Sequence, residues 1–260
     1  MSRPGLWEIA VLGALLIFAL ATSAQTSSKS NPQPAANAWM LVPTPYLEWN
    51  RDVSPEIRAA RDGYMDQVTP PVFAASSDPP QRIPLTSPDF HEYVTPSGCD
   101  GAASGPEIRD YPNRAIVIGR FINHHSVLSR SGYSLYTEIT LSVEQVFENQ
   151  TGSHSLSPQQ EITVVVPGGT VALPSNRTLT YLTRPREWSL QPNRIYLLLL
   201  SYHGEGEFYF VMGDWEVSDG AIRPNDCRTV YWARTGRSSL NGLPTQQLGP
   251  ALDKILHPNR

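Results

Sequence analysis

The longest regular pattern in the chain runs from Tyr133 to Phe147. Tyr133, Leu135, Ile139, Leu141, Val143 and Phe147 take odd positions, and Ser134, Glu138, Thr140, Ser142 and Glu144 take even ones. Successive side chains on a strand point to opposite faces, so a period of two predicts a strand with one face buried and the other in water. The stretch is longer than a usual strand, which predicts a long, bent strand shared between two parts of a small barrel.

Shorter runs predict the remaining strands. Ala115 to Ile122 carries Gly119 as a bend or bulge, and Glu161 to Val166 ends in the turn signal Pro167-Gly168-Gly169. Thr170 to Leu173 and Leu179 to Leu182 are brief, whereas Ile195 to Leu200 is continuously apolar, as in a strand covered on both sides. His203-Gly204-Glu205-Gly206 connects to Glu207–Met212, and Asp219-Gly220 is a hairpin signal between Trp215–Val217 and Ala221-Ile222. Seven or eight strands joined by tight turns predict an all-β domain over 112–235, a small closed or partly open barrel.

The N-terminal part reads differently. Residues 25–111 form a proline-rich extension; with Pro112 counted, 14 of the chain's 24 prolines fall in 25–112. Proline lacks the amide and fixes φ, so extended, irregular chain is expected there. One short helix stands out near 55–67: Ser54 suits the N-cap, Pro55 the first helical position and Glu56 the positive end of the dipole. Ile57, Ala60, Tyr64 and Val68 fall on one face and are expected to be its buried side. Recurrent aromatics, among them Trp39, Tyr64, Phe73 and Phe90, predict that the extension packs on the barrel as a belt. Residues 236–260 form a tail with a short helix at Pro250–Leu256.

Residues 1–24 read as a signal peptide: Arg3, an apolar run from Leu6 to Ala21, then Thr22-Ser23-Ala24 before Gln25. The run is short for a membrane span, so no stable span is expected after cleavage, and the protein is expected to be secreted or periplasmic. An uncleaved anchor is the competing reading. An exported chain with an even cysteine count favours a disulfide, here Cys99 with Cys227, fastening the extension to the end of the core. Two free thiols or a catalytic cysteine are the alternatives.

At this point the strand sequences Ala115-Ile116-Val117-Ile118-Gly119-Arg120, Tyr136 to Val143, Ile162-Thr163-Val164-Val165-Val166-Pro167-Gly168-Gly169 and Asn193-Arg194-Ile195-Tyr196-Leu197-Leu198-Leu199-Leu200 are together similar to a group of exported bacterial proteins of uncharacterised function. These resemble closed β-barrels of the OB-fold or netrin (tissue-inhibitor-like) type. The likeness spans roughly residues 112–225 and implies a fold and an address, with no catalytic residues to carry over. Metalloprotease inhibitors of the netrin type chelate zinc through a mature N-terminal cysteine. Here the expected N-terminus is Gln25 and the nearest cysteine is Cys99, so that mechanism is not supported.

Charge narrows the function further. Lys+Arg number 20 against 24 Asp+Glu, a net charge of −4, and Lys29 and Lys254 are the two lysines. Nucleic-acid binding needs a basic groove with stacking aromatics, so it is not expected. There is no HExxH and no Gly-x-Ser-x-Gly elbow, and adjacent His124 and His125 would point to opposite faces of a strand. No metal, cofactor or catalytic residue is therefore assigned. The candidate ligand-binding residues are His124, His125, His203, Asp214 and Trp215, all near expected strand ends. The leading expectation is a non-enzymatic domain that binds a protein or cell-envelope ligand. The alternative is an extracytoplasmic hydrolase whose acidic and histidine residues converge in a pocket.

Overall fold

A computed structural model describes residues 43–45, 53–73, 81–88, 90, 93–94, 108–152, 154–182, 190–234 and 240–258. The expected signal peptide, Cys99 and most of the proline-rich extension lie outside the described residues.

Ten strands are described: β1 (Thr44–Pro45), β2 (Tyr93–Val94), β3 (Arg114–Leu128), β4 (Leu135–Asn149), β5 (Glu161–Pro167), β6 (Gly169–Ala172), β7 (Thr178–Leu182), β8 (Ile195–His203), β9 (Phe208–Ser218) and β10 (Ala221–Pro224). Five of them close a barrel. β4 lies between β3 and β5, β5 pairs in parallel with β9, β9 pairs with β8, and β8 returns to β3. The barrel is filled from alternate positions of every strand, with Val117, Phe121, Ile139, Leu141, Val164 and Leu198 at its centre. Gly119 sits at a register shift between β3 and β4, where a methyl group would fall 2.5 Å from Leu141 Cδ2. The bulge and the bare backbone let β3 bend across a packed interior.

β6 and β7 form a hairpin beside the barrel. Two short pieces of the extension add to it in parallel, β1 along β6 and β2 along β7, giving a second sheet in the order β1-β6-β7-β2. The described parts of the extension do pack on the barrel, with Leu85 and Phe90 sharing an apolar cluster with Leu135 and Tyr181.

The expectation of an all-β domain over 112–235 needs correcting, because a helix at Cys227–Arg234 lies inside it, in addition to the two expected near the ends, and helices cover two outer faces of the barrel. α1 (Pro55–Val68) starts as its sequence predicts: Ser54 Oγ accepts from the Ile57 amide at 3.3 Å, with Pro55 first in the helix. α2 (Cys227–Arg234) and α3 (Leu248–Leu256) lie against β8 and β9, where Trp232, Leu248 and Leu252 meet Leu197, Leu199 and Trp215. α3 corresponds to the expected helix in the tail. α2 was not expected, although Asp226 and Thr229 carry a start signal. Asp226 Oδ1 accepts from the Thr229 amide at 2.7 Å, and Thr229 Oγ1 accepts from the Asp226 amide at 3.2 Å. This reciprocal pair satisfies two otherwise open amides of the first turn.

Cys227 heads α2 and is disulfide-bonded, and no described cysteine is a free thiol. The other cysteine of the expected link, Cys99, lies outside the described residues, so no disulfide joins two described residues. What holds α1 to the barrel is a set of charged hydrogen bonds, and its face is rotated from the expected one. Arg58, Arg61, Asp62 and Met65 are buried, while Val68 is 38% exposed. Apolar periodicity marked the wrong side because the barrel surface under α1 carries a buried acid.

Candidate functional site

That acid is Glu138, on the face of β4 expected to be wet; it is 2% exposed. Arg58 donates to its Oε1 at 2.5 Å, Arg61 Nη1 donates to the same oxygen at 2.9 Å, and His125 Nε2 lies 3.0 Å from Oε2. Burial alone would raise the Glu138 carboxyl, but the hydrogen bond from His125 and the charges of Arg61 and Arg58 outweigh it and hold the group at about 2. A second layer surrounds the first. Tyr136 donates to Asp62 Oδ1 at 2.7 Å and accepts from Arg58 at 3.1 Å, and Asp66 accepts from Ser129, Ser131 and Ser134. Asp62 is raised, chiefly by burial.

This cluster is a clamp in its chemistry. A carboxylate held near 2 and bound by two guanidinium groups is a poor proton acceptor at neutral pH. Its pH signature follows from the shift. The folded state binds the Glu138 proton less readily than the unfolded chain, whose carboxyl has its ordinary value of 4.5. The stabilisation, about 3 kcal/mol for a shift of this size, is fully present above that value and is lost as pH falls through about 2. The raised Asp62 acts in the opposite sense and offsets part of it. Urea unfolding followed from pH 6 to pH 2 is expected to show this loss, and Glu138→Gln is expected to remove this component of the pH dependence.

The clamp positions a cleft. Arg61 Nε donates to the Gly206 carbonyl at 2.7 Å, and Nη2 donates to the Glu207 carbonyl at 3.2 Å, tying α1 to the turn between β8 and β9. Beside that contact opens a cleft of about 480 Å³, lined by Tyr64 and Gln67 of α1, Asn113 before β3, and Tyr202, His203, Glu205 and Phe208 of the hairpin, among others. The His203 ring is stacked on Phe208 (centroids 4.9 Å apart, 11° between planes) and faces Tyr64 at 4.1 Å. Its Nε2 is buried and has no hydrogen-bond partner among the described residues. Burial pushes the His203 imidazole down, and burial also pushes the Tyr64 phenol up. The Tyr202 phenol is raised too, by burial and by the charge of Glu207. All three rings are therefore neutral at neutral pH.

The five candidate residues from sequence do not converge. His203 lines the cleft, with Tyr202 and Tyr64 as partners that sequence reasoning did not single out. His125 belongs to the clamp, across the strand pair from Glu138. His124, next to it on β3, meets Phe121 edge-on at 5.7 Å. Asp214 is fully buried: its Oδ2 accepts from Asn225 at 2.5 Å and its carbonyl from Thr229 at 3.0 Å. Trp215 is 2% exposed and stacked on Trp232 at 5.9 Å, inside the cluster beneath α2 and α3.

Among the described residues no three His, Cys, Asp or Glu side chains are arranged to hold a metal ion. No described helix is long and apolar enough to cross a membrane. No family model and no curated protein matches the chain.

Proposed function

We propose that this protein is an exported, non-enzymatic binding domain of the cell envelope, and that the cleft between α1 and the β8–β9 turn receives a neutral stretch of oligosaccharide. The observation that carries this reading is His203 Nε2, a buried polar atom without a partner among the described residues, in a cleft whose lining includes the rings of Tyr64, Tyr202 and Phe208 and the amides of Gln67 and Asn113, with the Glu205 carboxylate. Buried polar groups left unpaired cost about 1–3 kcal/mol and call for an explanation. A ligand hydroxyl that reaches this atom supplies the missing bond. Ring faces suit the C–H face of a sugar, and Gln67 and Asn113 suit its hydroxyls.

The barrel supports the same reading. Its closed five-stranded order, with β5 parallel to β9, is consistent with an OB-like barrel, a fold type that binds oligosaccharides and oligonucleotides near the loop between its last two strands. The net charge of −4 disfavours the nucleotides. The signal-like residues 1–24 support export, which would bring the domain to envelope glycans.

The test is calorimetric titration of the chain with the tetramer of N-acetylglucosamine, alongside Tyr64→Ala. Binding is expected in the original chain, with affinity reduced about ten-fold or more in the variant, as for loss of a stacking ring worth 1–3 kcal/mol. Equal binding by both would remove the cleft from the reading, and no binding by the original chain would overturn it.

A further inference from the structure

The first cleft shares Tyr202 with a second one of about 300 Å³, lined by His154, Gln160, Glu161, Tyr202, Glu207 and Tyr209, among others. We propose that one ligand crosses Tyr202 from the first cleft into the second, and that the unit seated in the second carries a free ammonium group, an amino sugar within the oligosaccharide. This rests on the saccharide reading above.

Two independent features of the second cleft point to such a unit, and the backbone of Glu207 fixes where one of its carboxylates stands. Tyr209 is 2% exposed, and its Oη makes no hydrogen bond among the described residues. Thr151, the hydroxyl that acts on it, shares its single proton between Asn149 Oδ1 and the His154 carbonyl. Glu161 and Glu207 are exposed at the rim, and no arginine, lysine or histidine of the described residues pairs with either side chain. Finally, Glu207 holds φ 47° and ψ 49°, a left-handed conformation uncommon for a residue with this side chain. Arg61 grips its carbonyl, and its amide donates to the Gly204 carbonyl at 3.2 Å. A strained backbone held by the clamp thus sets a carboxylate at the cleft.

These features act on one chemical group. The His154 and Tyr202 rings stack at 4.6 Å, and Tyr202 and Tyr209 lie 5.0 Å apart, so the lining offers π faces to a cation. The two carboxylates give that cation charged acceptors, and the Tyr209 hydroxyl gives a neutral partner to a neighbouring sugar hydroxyl. An extended peptide is the competing occupant: β5 meets β9 only at Val164 and Val165, so Glu161–Thr163 pair with β4 alone among the described strands, and tetralysine is the probe that tests it.

The experiment titrates the chain with three probes: the tetramer of glucosamine at a pH where its amines are charged, the tetramer of N-acetylglucosamine, and tetralysine. The glucosamine tetramer is expected to bind about ten-fold tighter than the acetylated one, a difference of about 1.4 kcal/mol. In the double variant Glu161→Gln, Glu207→Gln that advantage is expected to vanish while affinity for the acetylated tetramer is unchanged. Both glutamates are exposed, so the unfolding temperature of the variant is expected to match the original and serves as the control. Equal affinity for the two sugars, or an advantage that survives in the double variant, overturns the ammonium subsite and leaves the saccharide cleft standing. Failure of both sugars to bind overturns both readings. Tetralysine binding as tightly as the glucosamine tetramer overturns the sugar assignment in favour of a basic peptide.

Discussion

Glu138→Ala is expected to destabilise the protein by about 3–5 kcal/mol, the cost of leaving buried charges without their partner. At this chain length that corresponds to a fall in unfolding temperature on the order of 10 °C. Arg58 is 2% exposed and Arg61 4%, so neither guanidinium can turn to water without lifting α1 from the barrel. The loss should therefore include local detachment: amide exchange along Pro55–Val68 should accelerate more than exchange in β3 or β8. The triple replacement Arg58→Met, Arg61→Leu, Glu138→Leu is expected to recover most of the stability, because apolar groups of similar size need no counter-charge. A cost below about 1 kcal/mol for Glu138→Ala would place the cluster with exposed ion pairs and remove the clamp.

Gly169→Ala is expected to cost about 3 kcal/mol, through two effects that add. Gly169 holds φ 147°, where an L side chain is strained by about 1–3 kcal/mol. A methyl group there would also fall 2.6 Å from Thr137 Oγ1 and closer still to Ser126 Oγ, both on buried residues. Overpacking of this kind typically costs about 1–3 kcal/mol. The two hydroxyls are themselves engaged: Thr137 Oγ1 donates to the Gly168 carbonyl at 2.7 Å, and Ser126 Oγ accepts from the Thr170 amide at 3.2 Å. They fix the turn that carries the chain from β5 out of the barrel into the β6–β7 hairpin. Adding Ser126→Gly should relieve the closest contact and return part of the loss but not the backbone strain, which a set of thermal unfolding curves would separate. A loss below about 1 kcal/mol for Gly169→Ala would mean that the turn re-forms freely.

The barrel strands were legible because each has an inside and an outside. The alternation from Ile139 to Val143 follows from burial at odd positions, and the run Ile195–Leu200 is apolar throughout because Leu198 and Leu200 face the interior while Leu197 and Leu199 face the cluster under α2 and α3. The start of α1 was equally legible, since Ser54, Pro55 and Glu56 act on local backbone amides alone.

The face of α1 was not legible. A buried arginine and a solvent-facing one look alike in a sequence until the position of Glu138 in three dimensions is known, and Arg61 and Glu138 are separated by 77 positions. α2 was missed for a related reason: its inward side chains, Thr229 and Trp232, are sparse, and its start rests on the reciprocal bonds of Asp226 and Thr229. The cleft residues belong to the same class. Tyr64, Tyr202, His203 and Glu207 carry no common spacing, and only closure of the barrel with α1 pinned across it brings them to one place. By itself, then, the sequence determined the barrel strands, their turns and the start of the first helix, because those depend on local geometry and on one-sided burial. The tertiary structure alone decided which charges are buried, which face of α1 turns inward and where two clefts meet at Tyr202. Those outcomes depend on pairings between distant residues, whose energies exist only once the barrel has excluded water from between them.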